Sequence, residues 1–83
     1  MKLAKYVKFR AEKFGGVLFE TRSEKVFTLN PTATAVIREI GSGTAPSEIA
    51  ERVKAQFAGD DGAIEREVGE FLADLRAKGL VED

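Results

Sequence analysis

Cysteine and histidine are both absent from this chain. Without cysteine there is no disulfide, no thiolate nucleophile and no sulfur ligand for zinc. Without histidine, the usual general base and the commonest transition-metal ligand are gone. No apolar run approaches the roughly 18 residues that cross a bilayer. The opening Met1-Lys2-Leu3-Ala4-Lys5 has no apolar core of a secretory signal. The chain therefore reads as intracellular and cytoplasmic. A basic excess is missing too, since 13 Lys and Arg face 14 Asp and Glu. The simplest electrostatic argument for a nucleic-acid protein fails with it. Eighty-three residues allow one small domain spanning 1–83, with a modest core. Enzyme is already the weaker expectation.

What is present divides at Asn30-Pro31. Residues 1–30 hold seven Lys or Arg against three Glu, whereas residues 31–83 hold six basic against eleven acidic residues. Periodicity changes at the same point. Val7, Phe9 and Ala11 interleave with Lys8, Arg10 and Glu12, the period-two pattern of a strand with one wet face. Gly15-Gly16 reads as a turn. A second strand follows over Val17–Thr21, a polar loop over Arg22–Lys25, and a third strand over Val26–Leu29. Asn30 then suits a helix N-cap, and Pro31 the first helical turn. Ala33, Val36, Ile37 and Ile40 predict a helix over 31–41. Ile49, Val53 and Phe57 predict a second over 45–58, started by Thr44 or Ser47. Ile64, Val68, Phe71, Leu72 and Leu75 predict a third over 62–78, with either Asp60 or Asp61 as its cap. Gly79 and Leu80 are placed to end it in a Schellman motif. The expected fold is α+β: a three-stranded antiparallel sheet followed by three helices, winged helix-turn-helix-like.

The chemical motifs dissolve on inspection. Gly41-Ser42-Gly43-Thr44 lacks the lysine and the spacing of a phosphate loop. Asp60-Asp61-Gly62 would need oxygen ligands where Phe57 and Gly59 stand, so it is no calcium loop. Glu65, Glu67, Glu70 and Asp74 spread over more than one helix face and suit a solvated surface. The six phenylalanines fall mostly on apolar stripes. The expectation is a chain with no catalytic residue, no metal and no cofactor. A winged helix would lay its third helix in the DNA major groove. Here residues 60–78 carry six acidic side chains against Arg66, Arg76 and Lys78, which repels phosphate.

The run Leu29-Asn30-Pro31-Thr32-Ala33, followed by Val36-Ile37, Ile40 and Ser47-Glu48-Ile49, resembles the PqqD family. So does the ending Phe71-Leu72-Ala73-Asp74-Leu75-Arg76-Ala77-Lys78-Gly79-Leu80-Val81. Members are also called RiPP recognition elements, and the resemblance spans roughly residues 6–82. It implies a non-catalytic peptide chaperone that binds the leader of a ribosomally made precursor and presents it to a modifying enzyme. For small free-standing members, that enzyme is often a radical S-adenosylmethionine (radical SAM) protein. It also implies a leader that adds as a strand beside the third strand, against the third helix; the lack of a long apolar run leaves no membrane partner to expect. Strand addition needs an open edge and draws affinity from backbone hydrogen bonds.

On that resemblance the candidate peptide-binding residues are Val26, Phe27, Thr28 and Leu29 on the strand, with Phe27 and Leu29 facing the core. On the helix they are Arg66, Gly69, Leu72, Ala73 and Arg76, the flank that also holds Glu65. Gly69 invites a reason because mid-helix glycine costs about 1 kcal/mol relative to alanine. The opposite flank, Glu67, Asp74 and Lys78, is the alternative. The sequence does not choose between them.

Overall fold

The computed structural model describes residues 1–83. The elements are β1 (Lys2–Leu3), β2 (Val7–Glu12), β3 (Gly15–Glu20), β4 (Lys25–Leu29), α1 (Pro31–Gly41), α2 (Pro46–Lys54), α3 (Asp61–Ala77) and β5 (Val81–Glu82). Strands β2, β3 and β4 form an antiparallel sheet in sequence order, as the α+β reading expects. The pairings Val7↔Glu20 and Phe9↔Leu18 fix the first ladder, and Leu18↔Phe27 and Gly16↔Leu29 fix the second. Opposite residues in such ladders share a face. Phe9, Leu18 and Phe27 therefore point together toward the helices, and Leu18 is 1% exposed.

The reversal between β2 and β3 falls on Lys13-Phe14, two residues before the glycines that the sequence reading assigned to it. Gly15 and Gly16 instead open β3, where the chain needs room. A Cβ on Gly15 would stand 2.2 Å from the Leu29 carbonyl oxygen, and one on Gly16 would stand 2.6 Å from the Phe9 ring. Gly15 also has φ +146°, a conformation that residues with a Cβ rarely adopt. Close approach of neighbouring backbone, more than the turn itself, explains the pair.

Asn30 caps α1, its side chain accepting from the Ala33 N–H, and Pro31 occupies the first turn. The second helix is shorter than expected. It starts at Pro46 after an Ala45 cap with no side-chain bond, and it ends at Lys54. Phe57 continues the apolar spacing but reaches the core from beyond the last helical turn. Asp60 caps α3 by accepting from Ala63, and Lys78 closes it. Gly79 takes φ +70°, while the Leu80 N–H donates to the Leu75 carbonyl at 2.9 Å, the expected Schellman end. Leu80 is buried.

One pairing has no precedent in the periodicity. β1 and β5 form a two-stranded antiparallel ribbon through Lys2↔Glu82 and Leu3↔Val81, and the Ala4 N–H donates to Leu80. The core is a single cluster running from Val7 and Leu18 through Val36, Ile37 and Ile40 to Ile49, Val53, Val68, Leu72 and Leu75. α1 is its centre, meeting β3, β4, α2 and α3. No helix is long and apolar enough to cross a membrane.

Candidate functional site

β4 is an edge strand. β3 pairs with one side of it, and no strand pairs with the other. Its side chains alternate as expected: Leu29 is buried and Phe27 half-buried on the inner face, while Val26, 58% exposed, and Thr28 face solvent. The unpaired side offers a row of backbone donors and acceptors to any extended guest.

α3 runs antiparallel to this edge and is pinned to it near one end. The Asn30 amide, just beyond β4, donates to the Glu67 carboxylate at 3.3 Å. At the other end, Lys25 and Phe27 of the strand share a recess of about 300 Å³ with Lys78, Leu80, Glu20 and Ser23. The lengths match. The eleven steps from Glu67 to Lys78 rise about 16 Å, as do the five strand steps from Lys25 to Asn30. Glu67, Phe71, Asp74 and Lys78, spaced four, three and four apart, therefore form the helix flank on the strand's side. Phe27 and Phe71 both pack partly buried against the core and offer apolar surface there. Lys78 is itself bonded to Asp74.

The helix residues favoured by the sequence reading fall elsewhere. α3 buries Val68, Leu72 and Leu75, so its two flanks face opposite neighbours. Glu65 meets the Lys54 ammonium of α2 at 2.9 Å, which puts the flank of Glu65, Gly69, Ala73 and Arg76 on the α2 side. Arg76 lies 3.7 Å from Asp83, and exposed Arg66 is turned further outward on the wheel. Leu72, 9% exposed, is a core residue. Gly69 meets neither a close backbone nor tight packing, because a Cβ there would find no atom within 4 Å. The structure thus brings Val26, Phe27, Thr28 and Leu29 together with the alternative flank, and it does not bring Arg66, Gly69, Ala73 and Arg76 to them. Apolar periodicity fixes the buried line of a helix but not which neighbour lies on either side. Lys25 and Glu20, at the recess, were missed because they read as loop and strand end.

Two carboxylate networks stiffen the surroundings. Glu20 accepts from the Ser23 hydroxyl and from the Arg22 and Ser23 N–H groups at 3.0 and 2.9 Å, closing the loop before β4. The Ser23 hydroxyl foremost, then the Arg22 N–H, hold the Glu20 carboxyl below its usual range. Lys54 donates to Glu65 and Glu51, and these bonds, Glu65 first, push its ammonium up to about 12. No group of three or more acidic side chains is gathered to hold a metal ion.

A small α+β domain whose sheet leaves the β4 edge unpaired beside a helix flank of Phe71 set among the charged Glu67, Asp74 and Lys78 defines the class. The chain belongs to the PqqD family: the family described as Coenzyme PQQ synthesis protein D (PqqD) matches residues 15–81. Two solved structures are similar over nearly their full length. TbiB1 in complex with the TbiA(beta) leader peptide superposes with a TM-score of 0.83 at 26% identity, covering 99% of this chain and 95% of that one. Lasso peptide synthetase B1 complexed with the leader peptide gives 0.80 at 21% identity, with coverage of 99% and 96%, and shares the fold. No curated protein matches the chain.

Proposed function

We propose that this chain binds the leader segment of a ribosomally made precursor peptide in the cytoplasm and presents the peptide to a separate modifying enzyme, without catalysis of its own. The observation that carries the reading is the unpaired edge of β4, flanked along its length by Glu67, Phe71, Asp74 and Lys78. A leader adds there as a fourth strand, its backbone pairing with Val26–Leu29 and its inward side chains resting near Phe27 and Phe71. Lys25 at one end favours an acidic leader residue, Lys78 being already matched by Asp74, and Glu67 at the other favours a basic one. Family membership and the leader complex of TbiB1 support leader binding. The modifying enzyme to test first is a radical SAM protein, and second a lasso-type synthetase, the class of one structural neighbour. Duplex binding fares worse, because α3 would offer phosphate a net negative helix.

Amide shifts on titration with a synthetic leader peptide, the TbiA(beta) leader as first probe, test the reading. They should concentrate at Lys25–Leu29 and from Glu67 to Lys78, leaving α2 quiet. Phe71→Ala should weaken binding, while Gly69→Leu, on the α2 side, should leave it unchanged. Shifts gathered on α2, or a Gly69→Leu protein that no longer binds while folded, would move the site to the other flank.

A further inference from the structure

The sheet has a second face, turned away from the helices, and it is not the polar surface such a face usually presents. The ladders set Lys8, Phe19 and Val26 in one row and Arg10, Val17 and Thr28 in the next. Phe19 is 38% and Val26 58% exposed. With Val17 they line an open depression of about 400 Å³, bordered by Lys8 and Arg10 of β2. Arg10 is matched by Glu12 at 2.6 Å, but Lys8 has no carboxylate within ion-pair distance. The patch is therefore apolar at its centre and basic along one margin. Its other margin is β4, the strand whose free edge takes the leader in the reading above.

We propose that this outer face docks the modifying enzyme, through an enzyme surface that is apolar at its centre and rimmed by carboxylates. The proposal rests on the leader-binding reading, because a leader strand added to β4 extends the same face. Its outward side chains then stand next to Val26 and Thr28, and one enzyme surface meets domain and leader together. Charge selects this occupant. The half of the chain that builds the sheet holds seven Lys or Arg against three Glu, so an acidic partner is attracted. A second copy would bring an equally basic margin against it.

The test uses the full chain, a synthetic leader and a purified precursor-modifying enzyme, the radical SAM and lasso-type candidates in turn. Phe19→Ser removes the apolar centre, and Lys8→Glu with Arg10→Glu inverts the margin; neither changes a residue of β4 or its backbone edge. Both proteins should keep a native amide spectrum and bind leader as the wild type does. Each should lose about tenfold or more in affinity for the enzyme. Lys8→Arg should bind like the wild type. Wild-type enzyme affinity in both the Phe19 and the charge-inverted proteins would overturn the proposal. So would a wild-type dimer that Phe19→Ser dissociates, or binding to anionic phospholipid vesicles that Phe19→Ser abolishes while enzyme binding persists. Leader titration without enzyme keeps the two readings apart. If the wild type binds no leader, the β4 reading falls on that titration alone, and enzyme binding by the variants still decides the outer face.

Discussion

Gly15 and Gly69 show how differently one residue type is used in this chain. At Gly15 the missing Cβ leaves room for the Leu29 carbonyl oxygen, and the positive φ adds a second demand. Gly15→Ala should therefore destabilise the fold by about 2 kcal/mol or more, through clash and strain together. At Gly69 nothing lies within 4 Å and the residue sits inside α3. Gly69→Ala should stabilise by about 0.5–1 kcal/mol by restricting the unfolded chain. Urea unfolding of both proteins checks the pair, and opposite signs are the result to look for. The sequence flagged both positions, yet assigned neither its role. A glycine announces that something is unusual, but whether that is a turn, a carbonyl or empty space depends on distant neighbours. Leu72 was legible as core because apolar spacing is local. Its side of α3 faces inward, and only 9% of it stays exposed.

Elements were legible where local chemistry fixes both ends. The Asn30 cap and Gly41 bracket α1 at the residues expected, and the Gly79 close of α3 is the one read from Gly79-Leu80. The second helix overran because Phe57 keeps the spacing of Ile49 and Val53 after the helix has stopped. β1 and β5 were invisible, since two residues carry no periodicity and their pairing joins the two ends of the chain. Between elements, the contact of α2 with α3 carries a titratable clasp. Lys54, 15% exposed at its side chain, holds Glu51 and Glu65. Its pKa is raised from 10.5 to about 12, so the folded state holds the proton more tightly than the unfolded chain does. That stabilisation is complete below pH 10.5 and is lost as pH rises through about 12. Glu20 is the opposite case: its carboxyl is depressed below 4.5, so its contribution is present above that value and lost on acidification. Lys54→Met should flatten the alkaline limb of the melting profile and leave the acid limb intact. An alkaline limb as steep as the wild type's would remove Lys54 from the account.

At the scale of the whole molecule, a radius of gyration of 12.1 Å is what a compact chain of this length should show, about 12 Å. Its thirteen buried hydrophobic residues are a small core for a domain that leaves a sheet edge unpaired. Stability of that size, a few kcal/mol, makes the fold a sensitive reporter of its own ligand. A leader that pairs with β4 binds the folded chain and finds no such edge on the unfolded one. At about one hundred times its dissociation constant it should add about 2.7 kcal/mol by mass action. A domain of this length moves its midpoint by about 4–8 °C per kcal/mol, so the melting temperature should rise by roughly 10–20 °C. A scrambled peptide of the same composition should shift it little. Salt gives the decisive contrast. Backbone pairing along an edge should keep most of the rise between about 50 and 200 mM salt, whereas a duplex ligand held by phosphate contacts would lose orders of magnitude in affinity over that range. A thermal shift that collapses with salt, or one that the scrambled peptide reproduces, would mean that charge rather than the β4 edge is being read.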